Sequence, residues 1–219
     1  MITKRAQILA IASSVVWVCS GFTVLAEKNP VDFWESCRSD DSCTIEYNHL
    51  ANQETDPFLF LGKVVDKLHP RWMRYWLALW QYPNVKSCLE KSEREKKEPN
   101  LLKLDWDRVG TGSGAEVCVF RLASSLGSAD RTLTWLQYQK FRFRGLNRRG
   151  SQNFQPRFDT EPIYQVTARW SIEQYREVNP SWLSSLTGYE LINEYRLILS
   201  FDQYSKISGV SVSTPTKLN

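Results

Sequence analysis

Seven positive charges lie between Asp130 and Asp159 with no acid among them: Arg131, Lys140, Arg142, Arg144, Arg148, Arg149 and Arg157. A guanidinium presents a planar fork of donors that matches a phosphate or carboxylate with two parallel hydrogen bonds, so the chemistry on offer is anion recognition. Read as a strand, this stretch puts Lys140, Arg142 and Arg144 on one face and Phe141 and Phe143 on the other. Arg148, Arg149 and Arg157 then carry the charge into a loop, where Phe154 offers an apolar contact. A solvated outer strand whose charges discourage edge pairing would hold the same residues. The expectation is a non-catalytic binding face for an anionic surface, polymer or protein partner.

Catalytic arrangements are thinner. Asp105 and Asp107 flank Trp106 and, on one face of a strand in a sheet pocket, would suit hydrolysis by a carboxylate pair. That makes an envelope hydrolase the second reading. His49 and His69 are the only imidazoles, and His69, between an apolar stretch and Pro70, reads as a helix cap or a core-edge histidine. Asp40 and Asp41 supply too few oxygens for calcium by themselves. Gly110 to Gly114 tempts a phosphate-loop reading. It lacks the Lys-Ser/Thr ending, and a strand-like alternation follows where a helix is required, so a hairpin loop is expected. No catalytic motif, cofactor, metal ligand set or nucleic-acid partner is expected.

The first 26 residues address the chain. Lys4 and Arg5 precede an apolar run from Ile8 to Val18, and Val24 and Ala26 are spaced for cleavage before Glu27, the layout of a secretory signal peptide. An uncleaved anchor, making the protein a structural or assembly component, is the rival, but the run is shorter than the roughly 20 residues that span a bilayer. Val18 before Cys19 does not suit a lipoprotein site. Cleavage leaves residues 27–219, enough for a single domain, with 26 basic and 24 acidic residues. No later apolar run is long enough to span a bilayer. A periplasmic or secreted, bacterial protein is expected.

Four cysteines remain, Cys37, Cys43, Cys88 and Cys118, and an even count in an exported chain implies two disulfides. Cys37–Cys43 and Cys88–Cys118 are the expected pairs. Zinc is disfavoured, since there is no Cys-x-x-Cys and no His beside a cysteine pair.

The elements that must position these groups change character near residue 100. Leu61, Val64, Val65 and Leu68 repeat at helical spacing, and Pro70 opens a second helix that runs to Pro83. Trp72, Trp76 and Trp80 form one stripe on it, expected to pack against a sheet; the alternative is an exposed platform for sugars or a partner. Residues 84–99, rich in Lys and Glu, read as a solvated helix or loop. Thereafter alternation predicts strands at Leu102–Trp106, Val117–Leu122, Leu133–Phe143, Ile163–Ile172, Tyr195–Phe201 and Ile207–Val212, with a long loop at 145–161 and a short helix or turn at Pro180–Leu186. The fold class is α+β, N-terminal helices packed on a curved, mainly antiparallel sheet of about six strands. This element order resembles that of small cone-shaped folds of the NTF2 or cystatin kind, a likeness of order that no motif carries.

Overall fold

The computed structural model describes residues 43–148, 164–178 and 194–215. It is α+β, with helices more prominent than alternation predicts. Strands β1 (Leu59–Phe60) and β2 (Lys63–Val64) form a small antiparallel hairpin. Helix α1 (Trp72–Gln81) follows, then a 3-10 turn (Val85–Cys88) and the short helices α2 (Lys91–Arg94) and α3 (Trp106–Val109). Helices α4 (Ser113–Leu126) and α5 (Ala129–Tyr138) lead into β3 (Arg142–Phe143) and β4 (Asn147–Arg148). Strand β5 (Tyr164–Trp170), helix α6 (Ile172–Val178), and strands β6 (Tyr195–Phe201) and β7 (Ile207–Ser213) complete it. The larger sheet is antiparallel in the order β3-β5-β6-β7, and β4 also pairs with β5.

Several expectations are corrected. The segment 117–122 is not a strand. It lies in α4, whose residues Ala115 to Ala123 are all buried. A helix buried on every side shows no 3.6-residue stripe, so Val-Cys-Val-Phe reads as alternation. Gly110 to Gly114 is accordingly the entry to α4 and not a hairpin loop. Gly114 has a packing reason: a Cβ there would sit 2.5 Å from the Val109 carbonyl oxygen. Gly127 ends α4 in the left-handed region at φ 73°, and Ser128 caps α5 by accepting a hydrogen bond from the Arg131 N–H. Residues 133–138, expected as a strand, are therefore helical; this cap and the tertiary contact of Trp135 override the β preference of Thr and Trp. Leu102–Trp106 is a turn and helix start instead of a strand. Phe58–Leu68 contains the β1–β2 hairpin instead of a helix, held at its tip by Gly62 N–H donating to the Ser208 carbonyl at 2.8 Å. The single six-strand sheet, on which the likeness to cone-shaped folds rested, is thus replaced by three long strands, β5 to β7, with short segments at the edge of β5.

Helix α1 and strands β5, β6 and β7 stand close to the predicted bounds, and Pro83 follows α1. The Cys88–Cys118 disulfide is present and ties the 3-10 turn to α4. Cys43 is also disulfide-bonded. Cys37, of the expected Cys37–Cys43 pair, lies outside the described residues, as do Asp40, Asp41 and residues 180–186. No helix among the described residues is long and apolar enough to cross a membrane.

One continuous apolar cluster joins the layers. Its aromatic end matters for the site: Phe141 stacks on Trp170 with centroids 4.1 Å apart, and Trp106 meets Trp170 edge-on at 4.7 Å. The buried indoles are satisfied, Trp170 donating to the Gln139 carbonyl at 2.7 Å and Trp106 to the Gln139 side chain at 3.0 Å. This cluster pins the chain just before β3.

Candidate functional site

Phe141 is buried in that cluster, so the next residue must face outward. Strand β3 places Arg142 directly opposite Arg169 of β5, and Arg169 directly opposite Arg196 of β6. On the inner face the same strands bury Val166, Ala168, Leu197 and Leu199. The alternation of β5 and β6 therefore builds a row of three arginines across the outer face.

Between β3 and β4 the registers jump. Phe143 pairs with Ala168 and Asn147 with Gln165, so Arg144, Gly145 and Leu146 oppose only Thr167 and Val166. Such a bulge bends an edge and re-aims a side chain. Here it brings Arg144 to a hollow of about 480 Å³ lined by Arg142, Phe143, Arg144, Asn147, Thr167 and Arg169. Guanidinium, amide and hydroxyl donors converge on it, and no carboxylate is among these residues. Glu194 lies beside it, 3.6 Å from Arg169 and in contact with Arg196. Glu173, in the first turn of α6, is held below the usual carboxylate range by the Ser171 hydroxyl and a backbone N–H, with Arg176 and Arg142 adding to the effect.

The structure thus brings Arg142 and Arg144 together, and the sequence reading missed Arg169, Thr167 and Asn147. The signal for Arg169 was present in the alternation of Ile163 to Ile172. The pairing of that strand with residue 142 was not readable. Lys140 departs from the expected face. It sits at φ 61° after α5, outside β3, its carbonyl accepts from Gln174, and its ammonium is 3.9 Å from Glu177 of α6. Arg131 is on α5, donating to Asn48 at 2.6 Å and to the Leu126 carbonyl at 3.1 Å, an end cap for α4. Arg148 lies in β4, opposite Tyr164. Arg149, Phe154 and Arg157 lie outside the described residues.

The carboxylate pair does not form a strand face. Asp105 caps α3 by accepting from the Arg108 N–H and pairs with Arg94 at 2.7 Å, while Asp107 is in the helix itself. His69 accepts the Arg71 N–H at its Nδ1, but Arg71 is itself the N-cap of α1 and no side chain caps that helix, so the expected cap does not form. His69 sits half-buried at the core edge beside Phe60, and His49 pairs with Asp56 at 2.8 Å. No group of three or more His, Cys, Asp or Glu placed to hold a metal occurs among the described residues.

A second surface overturns an expectation. Tyr75, Ala78 and Leu79 face the core from α1, but Trp76 and Trp80 do not; they are 44% and 76% exposed. With Trp72, Leu77, Leu79 and Gln53 they line an open groove of about 570 Å³. The helix is fixed by its inner side, where Arg74 reaches the buried Glu116 at 2.8 Å. Glu116 also accepts the Val212 N–H at 2.9 Å, tying α1 and α4 to β7. Arg121, buried in α4, donates to the Tyr82 carbonyl at 2.7 Å and to Gln53 Oε1 at 2.6 Å. Burial pushes its pKa down to about 10, which leaves it charged at neutral pH.

Comparison with known protein families, with curated proteins and with solved structures finds no match to this chain.

Proposed function

We propose that this protein acts by binding, and that the hollow at Arg142, Arg144 and Arg169 receives phosphate or carboxylate groups of an anionic partner. The observation that carries this reading is the convergence of three guanidinium groups with Asn147 and Thr167, and no acid among the lining residues. Two forks side by side can hold one oxyanion with parallel bonds, and the third adds charge. Export, with the partner in the bacterial envelope, fits the N-terminal sequence and the disulfide. The hydrolase reading is weaker, because Asp105 is engaged with Arg94 and the Arg108 N–H.

The test is binding of the full chain to immobilised polyphosphate and to polyglutamate, at low and high salt. Exposed charge pairs weaken as salt screens them, so binding should fall steeply with ionic strength. It should also be lost in the Arg142→Glu/Arg144→Glu variant. Whichever polymer is held tighter identifies the oxyanion. Binding that ignores salt and both substitutions would remove the arginine hollow from the function.

A further inference from the structure

The outward face of α1 is a separate surface, and it has the composition of a helix that rests on lipid. Met73 is 77% and Leu77 52% exposed, beside the exposed Trp76 and Trp80. Leu68, 93% exposed, lies just before the helix, and Leu61 and Val64 are exposed on the β1–β2 hairpin. Soluble surfaces seldom gather large apolar groups in this way without a use.

The charge around this face selects the occupant. Arg74 is engaged with Glu116 on the inner side, so the charge at this face is that of Lys67 and Arg71, with Asp66 the acid beside them. From residue 67 to residue 82 the chain has no acid. Lys67 and Arg71 are exposed at the start of the helix, where Arg71 also lies over the Phe60 ring at 4.2 Å. Tryptophan at headgroup depth, aliphatic groups below it and a basic rim are the elements of interfacial binding to an anionic leaflet.

Two other occupants fit less well. A sugar needs several polar groups beside the aromatic faces, and the groove's lining offers one polar side chain, Gln53, whose carbonyl oxygen already accepts from Arg121. A second copy paired by two-fold symmetry would set the same basic rim against itself. We infer that α1 docks this protein on the surface of an anionic lipid bilayer, with Trp76, Leu77, Trp80 and Met73 entering the interface. The arginine hollow stands at the β3 edge of the sheet, whereas α1 packs on α4, which packs on β7 at the other edge. A lipid-bound protein would keep that hollow for a different partner.

The experiment uses the full chain and vesicles of phosphatidylcholine with phosphatidylglycerol, the acyl chains brominated to quench nearby tryptophan emission. The comparison chain is Met73→Glu/Leu77→Glu, which keeps every tryptophan; any quenching of Trp17 in the N-terminal run is common to both. The quenched fraction should fall at least about twofold in the variant, because a carboxylate at each position opposes both insertion and the anionic leaflet. Equal quenching in the two chains would overturn the proposal. So would a dimer in sedimentation equilibrium that the same substitutions disperse, which would give the face to a second copy. Should charge insertion disturb the helix by circular dichroism, Met73→Gln/Leu77→Gln repeats the comparison without added charge.

Discussion

Replacing Arg142 by Thr should make the protein slightly more stable while weakening its affinity for anions. Arg142 and Arg169 are directly opposed across β3 and β5, and Arg196 opposes Arg169 from the other side. Opposed residues have Cβ atoms about 5 Å apart, and long side chains can splay their charges to about 7 Å. Two like charges at about 7 Å repel by about 0.6 to 1.2 kcal/mol for an effective dielectric of about 80 to 40. Glu194 offsets part of this at Arg169 and Arg196 on the β6 side, and the exposed Glu173 carboxylate offsets part of it at Arg142, so the net repulsion lies at the low end of that range. At about 0.01 M salt the Debye length is about 30 Å and most of the repulsion survives; at about 1 M it is about 3 Å and little does. Thr is well suited to a strand. Arg142→Thr should therefore gain about 0.5 kcal/mol at low salt, a rise of about 1 to 2 °C in Tm.

The assay is thermal unfolding by circular dichroism at both salt levels, with and without polyphosphate. The gain should shrink at high salt. Ligand at about ten times the wild-type Kd should raise the wild-type Tm by about 3 to 6 °C, from roughly 1.4 kcal/mol of linkage, and raise that of the variant by clearly less at the same concentration. A variant that melts lower at low salt would mean that Arg142 is held by favourable internal contacts. The arginine row would then not be strained to serve a ligand.

Three further outcomes follow from the interior. The Cys88–Cys118 bond closes a separation of 30 residues, so Cys88→Ala/Cys118→Ala should lose about 3 to 4 kcal/mol in the chain-entropy account, read as a lower urea midpoint; an unchanged midpoint refutes it. Glu116 is fully buried while the Arg74 side chain is 47% exposed, so Arg74→Met leaves a carboxylate stranded and should cost about 3 kcal/mol, below the upper range for pairs buried on both sides. The double variant Arg74→Met/Glu116→Gln should recover about 1 to 2 kcal/mol of that in a double-mutant cycle, because no buried charge remains; additive losses would show that the pair is not coupled. Burial first, then the Glu116 carboxylate, holds the Tyr75 and Tyr195 hydroxyls above the ordinary phenol range. Above about pH 10 the unfolded chain releases these protons while the folded one keeps them, so their contribution to stability is complete below about pH 10 and is lost as pH rises. Tyrosinate absorbance should show these two ionising only with unfolding in Tyr75→Phe and Tyr195→Phe comparisons, and free titration of both in the folded state would contradict their burial.

Where the chain alternates against one buried face, its sequence was a faithful guide: β5, β6 and β7 stand close to the predicted bounds, and Phe141 faces the core as Arg142 faces out. The amphipathic spacing of α1 and the proline after it were equally readable. Alternation misled where burial was complete, as in α4, or where β-prone residues were held in a helix by a cap, as Ser128 does for α5. Both signals, Gly127 and Ser128, stood in the sequence, but their meaning depends on which element they end. The direction of α1 was not legible at all. Spacing identifies a stripe, yet Trp72, Trp76 and Trp80 run along one side of the helix while Tyr75, Ala78, Leu79 and Tyr82 run along the other, and both sides are apolar.

Local sequence by itself determined the helical run of α1, the long strands, the basic character of residues 131–157 and the cysteines available for bridging, because each is a property of neighbours along the chain. Tertiary structure decided which face of α1 met the core, that Asp105 became a cap, that Lys140 left the basic row, and that Arg169 joined Arg142 and Arg144. Those outcomes depend on strand register and on competition for a finite buried surface, and both are settled only when residues far apart in the chain come into contact.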